Sequence, residues 1–171
     1  MTKKITLIFC VISSILNCQS PSLPDAEIYE KYYQPYTTYE TFKSKDANLE
    51  KQLNQGLELY LAEKYPESFD VFSMILESNF QKQITASFYS GLCLLEMQGT
   101  SPELREIVES LFLDIIRQGR NPFVRQAQWY LGLFYLKNLD GEKSIPVLKL
   151  LTEKEGEFYE EAKEILPLIK V

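Results

Sequence analysis

Three glycines, each set in a run of large apolar residues, constrain this chain more than any other feature. The stretches NQGLELYLAEKYPESFDVF, YSGLCLLEMQG and YLGLFYLKNLDGEKSIPVL place Gly56, Gly91 and Gly132 in matching surroundings, 35 and 41 residues apart. A glycine inside a helix costs about 1 kcal/mol relative to alanine. Three of them in matching surroundings point to a role that any side chain would obstruct, namely a second helix passing close over the backbone. A small residue follows at a suitable distance, Ser68 after Gly56 and Ser144 after Gly132. Tyr65 stands in the turn of the first copy, and Phe72 and Leu148 take a later apolar site. The middle copy departs. After Gly99 the chain continues through TSPELREIVESLFLDII with extra residues and no small residue facing Gly91, so its second helix is expected to be longer or shifted.

The residues between the glycines are mostly good helix formers, with few β-branched runs. Asp46 caps a helix expected to reach about Glu63, Pro66 opens one to about Glu77, and a third covers about Gln83 to Gln98. Ser101 with Pro102, and Asn121 with Pro122, open helices to about Gln118 and Lys137. Asp140 leads into one ending near Leu151, which Pro146 should bend in its first turn, and a last helix runs from about Glu155 to Ile169, frayed by Pro167. Helix pairs with a period near 34 residues, over about 49–152, resemble the tetratricopeptide repeat (TPR). That resemblance implies an all-α fold: antiparallel helix-pair repeats stacked as a short right-handed TPR solenoid with a C-terminal capping helix, occupying 46–171. An unrelated helical bundle is the competing architecture.

In such an array the first helix of each pair lines a concave groove. Carried over by the glycine register, the groove positions are Leu53, Leu57 and Tyr60, then Phe88, Leu92 and Leu95, then Trp129, Leu133 and Leu136. Tyr60, Phe88, Leu92, Trp129, Leu133 and Leu136 are the candidate partner-binding residues. Core packing is the commoner fate of a leucine at helical spacing. Two occupants compete for this groove: the helix or extended peptide of a partner, or the chain's own tyrosine-rich segment.

That segment, IYEKYYQPYTTYETF, precedes the repeats and carries Tyr29, Tyr32, Tyr33, Tyr36, Tyr39 and Phe42, too much aromatic surface to leave in water. Asp25 can cap a short helix within it, ended by Pro35. It is similar to stretches that precede helical repeats in proteins of the Bacteroidetes. Its rings either dock on a partner or cover the open end of the first repeat, since the ends of repeat arrays need capping.

At the N-terminus Lys3 and Lys4 are followed by the apolar run Ile5 to Leu16, too short to span a bilayer, which needs about 20 residues, and suited to a signal peptide. Ile15-Leu16-Asn17-Cys18 resembles a bacterial lipobox, with Asn17 where a small residue is usual. The resemblance implies a signal peptide over 1–17 and lipidation at Cys18. A linker and the tyrosine-rich segment then fill 18–45. A plain secretory signal or an uncleaved anchor is the alternative. Gln19 after the cysteine, with no aspartate there and no acidic cluster following, resembles outer-membrane lipoproteins facing the periplasm. Acyl chains contribute about 0.8 kcal/mol per buried CH₂. They would have to hold the chain on the membrane, because an acidic protein is repelled by anionic headgroups.

Acidic residues outnumber basic ones by 24 to 18, which disfavours nucleic acid as a partner. The chain has no histidine, the commonest general base and metal ligand. Cys93 lies among leucines without an activating partner and reads as core. Paired carboxylates such as Glu106 with Glu109 read as solvated helix faces, and no phosphate loop or metal cluster appears. No cofactor, metal or small-molecule substrate is expected. The expectation is a non-catalytic protein–protein interaction scaffold of the bacterial envelope, with a subunit of an outer-membrane assembly or secretion machine as the nearer alternative and an envelope hydrolase as the more distant one.

Overall fold

The computed structural model describes residues 23–37, 41–78, 83–97 and 101–170. The leader, Cys10, Cys18 and the linker through Ser22 lie outside them, as do Tyr39 and Gly99. The described residues form eight α-helices: α1 (Asp25–Tyr32), α2 (Ala47–Leu61), α3 (Tyr65–Glu77), α4 (Ile84–Glu96), α5 (Pro102–Arg117), α6 (Val124–Lys137), α7 (Gly141–Thr152) and α8 (Tyr159–Ile165). A 3-10 turn, Leu166–Leu168, follows α8. None of these helices is long and apolar enough to cross a membrane.

From α2 to α8 each helix packs against the next, and α2 also touches α4, and α4 touches α6. The chain thus makes three helix pairs, α2 with α3, α4 with α5 and α6 with α7, whose first helices form a row. α1 stands apart from that succession and packs on α6.

The glycines are where each pair closes. A Cβ built on Gly56 would stand 2.6 Å from the Phe72 ring, on Gly91 2.8 Å from the Phe112 ring, and on Gly132 2.5 Å from Leu148 Cδ2. Those partners are completely buried, which limits how far their side chains can shift. In the first and third pairs a serine hydroxyl of the second helix then donates to the glycine's carbonyl oxygen, Ser68 Oγ to Gly56 at 2.8 Å and Ser144 Oγ to Gly132 at 2.9 Å, each twelve residues on. Both first helices end alike as well. The amides of Lys64 and Asp140 donate back to Leu59 and Tyr135, and Glu63 and Leu139 take the left-handed conformation at φ 59° and 58°. The middle pair is longer by five residues. Phe112 occupies the place of Phe72 and Leu148, which puts the buried Val108 where the serines stand, so this pair closes on apolar contact without the hydroxyl bond.

Caps explain most helix starts. The Asp46 carboxylate accepts from the Asn48 and Leu49 amides, Ser101 Oγ from Leu104, and Asp140 from Lys143. Three boundaries differ from expectation. Asp25 is the first residue of α1 rather than its cap, and its side chain lies beside Gly141 at the start of α7. Asn121 folds back to donate to Ile115 and Gly119 and accepts from the Phe123 amide, so Pro122 and Phe123 form a turn and α6 begins at Val124. The last helix starts at Tyr159 because Arg125 holds the loop before it. Arg125 donates to the carbonyls of Leu151, Lys154 and Glu157, Gly156 takes φ 155°, and Phe158 turns left-handed at φ 61°.

Gly132→Ala is expected to destabilise the fold. Overpacking against Leu148 at about 1–3 kcal/mol outweighs the gain of about 1 kcal/mol in helix propensity. Urea unfolding measures it, and unchanged or increased stability would contradict the close approach.

Candidate functional site

The row of first helices presents one face to residues 23–37 and 41–44, which lie over it as a strap. Ile28 of α1 is completely buried beneath that helix. Tyr29 and Tyr33 stack at 4.8 Å, and Tyr33 meets Tyr130 edge-on at 6.0 Å. Tyr36 then turns its edge to Phe88, Tyr89 and Tyr130, with ring centres 5.1, 6.2 and 6.3 Å away, and Phe42 meets Tyr89 at 5.8 Å. Such aromatic pairs contribute about 0.5–1.5 kcal/mol each beyond the area they bury.

Polar ties hold the strap's backbone in place. The Tyr130 hydroxyl donates to the Gln34 carbonyl at 2.8 Å. Asn54 of α2 makes a reciprocal pair with Phe42, its Oδ1 accepting from the amide at 2.9 Å and its Nδ2 donating to the carbonyl at 3.0 Å. Glu50 accepts from the Ser44 amide at 2.9 Å. At the other end the Tyr33 hydroxyl donates to the Glu96 carboxylate, and Lys137 Nζ sits 5.2 Å above the Tyr29 ring while donating to the Leu95 carbonyl. Asn54, Tyr89 and Tyr130 each stand two residues before their pair's glycine, and Leu61, Glu96 and Lys137 five residues after it. Those two positions, one above the other on a helix, make most of the contact with the strap.

The residues expected to face a partner lie elsewhere. Leu53, Leu57, Tyr60, Phe88, Leu92, Leu95, Trp129, Leu133 and Leu136 are all buried, none more than 4% exposed. Phe88 is sandwiched between Tyr36 and Phe123, with Phe123 stacked on it at 4.5 Å. Tyr60 lies against Tyr65 and Tyr89. Trp129 stacks on Phe158 at 4.8 Å with the rings parallel to 1°. The six candidate binding residues therefore offer no face to a partner as the chain stands: they pack between helices or beneath the strap. Sequence reasoning missed Asn54, Tyr130, Glu96 and Lys137. The signal was present in the glycine register, where five of the six residues at these two positions carry hydrogen-bonding side chains.

Burial controls the ionisable groups here. It is the largest cause of the raised pKa of Tyr33, Tyr60 and Tyr130; the bond to Glu96 adds to it for Tyr33, and the Glu96 charge adds to it for Tyr60. The Tyr60 hydroxyl is buried without a hydrogen-bond partner among the described residues. Burial pushes the Cys93 thiol up to about 12, against a bond to Ser68 at 3.3 Å, so it carries little thiolate near neutrality and is a poor nucleophile. Burial also lowers the pKa of Lys137.

No protein-family model matches this chain, and no curated protein or solved structure is significantly similar to it.

Two outcomes follow from the geometry. Trp129→Ala is expected to cost about 3–5 kcal/mol in urea unfolding, and a cost below 1 kcal/mol would return Trp129 to the surface. On raising the pH, a phenol whose folded pKa exceeds its unfolded value keeps its full stabilising contribution below about pH 10 and loses it above. The phenolate absorbance of Tyr33, Tyr60 and Tyr130 should therefore appear only as helical circular dichroism is lost. Titration of the whole tyrosine complement with the helices intact would contradict their burial.

Proposed function

We propose that this chain is a bacterial envelope lipoprotein built from tetratricopeptide-type repeats, acting as a non-catalytic scaffold that engages a segment of a partner protein along the face its own strap covers. The carrying observation is how that face holds a chain. Tyr130 and Asn54 bond to the strap's main-chain groups at Gln34 and Phe42, and aromatic rings fill the space between them. Main-chain bonds of this kind suit any extended segment, with side-chain pockets adding selectivity. The closure of the first and third pairs on Gly56 with Ser68, and Gly132 with Ser144, supports the repeat assignment. Chemistry is disfavoured by a histidine-free sequence and by the protonated, buried state of Cys93.

Attachment is assigned to acyl chains on Cys18, with the protein on the periplasmic face of the outer membrane. Cys18→Ala should abolish incorporation of labelled fatty acid and move the protein from the membrane to the soluble fraction. Unchanged partitioning would contradict the anchor. For the groove, capture from solubilised envelopes should increase when Tyr36→Ala loosens the strap and decrease when Asn54→Ala with Tyr130→Phe removes the backbone contacts. Equal recovery of the same partner by all three proteins would contradict the groove reading.

A further inference from the structure

The chain crosses its own groove in one direction. At its start, Asp25 Oδ2 lies 3.0 Å from the position a Gly141 Cβ would take, beside Ile169 and Lys170. Tyr29 and Tyr33 then line a cavity of about 510 Å³ with Leu95, Glu96 and Lys137, at the C-terminal ends of α4 and α6. Tyr36 and Phe42 line another, of about 410 Å³, with Thr85, Pro122 and Phe123 at their N-terminal ends. The strap therefore enters at the edge where α2, α4 and α6 end, which carries the turns 62–64 and 138–140, and runs toward the opposite edge.

That entering edge carries an apolar residue that the fold does not need. Leu139 is 72% exposed in the left-handed conformation, φ 58°, where glycine is usual at a helix end. Its counterpart in the first pair is the exposed Glu63, at φ 59° with the same backbone bonds, so the turn itself makes no demand for leucine. Met97, 38% exposed, ends α4 on the same edge.

From these observations we infer that the 138–140 turn is a membrane-contact site, with Leu139 inserted into the interface of a zwitterionic lipid surface beside the anchor; this rests on lipidation at Cys18. The length of the tether argues for it. Leu23 is packed on the core, which leaves five residues from Cys18, at most about 18 Å of chain. α6 alone, with 14 residues, is about 21 Å long, so the molecule cannot stand upright on its opposite edge while the tether stays in the bilayer. A chain of net charge −6 gains nothing from anionic headgroups, which leaves apolar insertion as the contact.

The test uses full-length protein expressed with its own leader and reconstituted in phosphatidylethanolamine–phosphatidylcholine vesicles. One variant carries Leu139→Cys and another Gln118→Cys, each labelled with an environment-sensitive fluorophore; the buried Cys93 stays unlabelled. With the vesicles floating together with the protein, the label at 139 should shift to the blue and lose most of its emission to lipid-borne nitroxide, while the label at 118 should do neither. Co-flotation with an aqueous, unquenched label at 139, or with stronger quenching at 118, overturns the contact while leaving the anchor intact. Failure to float overturns the anchor itself, and the inference with it.

Discussion

Water must be kept from the face formed by α2, α4 and α6, and the rest of the structure follows from how that is done. The face carries Phe88, Tyr89 and Tyr130, rings that contribute to stability only when covered. The second helices cover the opposite side. They approach closely because Gly56, Gly91 and Gly132 present no side chain to Phe72, Phe112 and Leu148. The strap covers the remaining side with Ile28, Tyr33, Tyr36 and Phe42, and the backbone groups it brings along find partners in Tyr130, Asn54 and Glu50. Residues 23–37 and 41–44 are in this sense a layer of the fold, supplied by the segment next to the proposed anchor.

This arrangement ties the proposed function to the fold. On the proposed reading the strap would give way to another chain of similar shape, and that segment would have to displace the aromatic contacts of Tyr36 as well as the bond from Tyr33 to Glu96. In that proposal access to the face would be set by the stability of the strap, whose first residues lie close to Cys18 in the chain. The C-terminal end is held more firmly. There Arg125 gathers the carbonyls of the loop before α8, and Trp129 stacks on Phe158.

Much of the helical framework was legible because its determinants are local. Asp46, Ser101 and Asp140 cap the helices that follow them, and the repeated glycine with a serine twelve residues on marks a close crossing in two copies. The lengthened middle pair was visible as extra residues after Gly99. Which face of each first helix would meet a ligand was not legible. Every residue from Ala86 to Leu95 and from Trp129 to Leu136 is buried, so the periodicity that would separate an inner face from an outer one is erased. Reading the apolar residues as the groove consequently selected Phe88, Leu92, Trp129, Leu133 and Leu136, which are core. The late start of α8 depends on Arg125, far from it in sequence, and a local reading extends that helix to include Glu155 through Phe158.

The central claim is that the strap is an integral layer rather than a loose leader to the repeats, and native-state hydrogen exchange on the intact chain tests it most directly. The amides of Ile28 and Tyr33, bonded within α1 to Pro24 and Tyr29, belong to a helix too short to persist by itself. Protection of these amides approaching that of α6, and lost together with it as denaturant is raised, is the predicted result. Exchange of α1 at the rate of unstructured chain while α4 and α6 remain protected would contradict it.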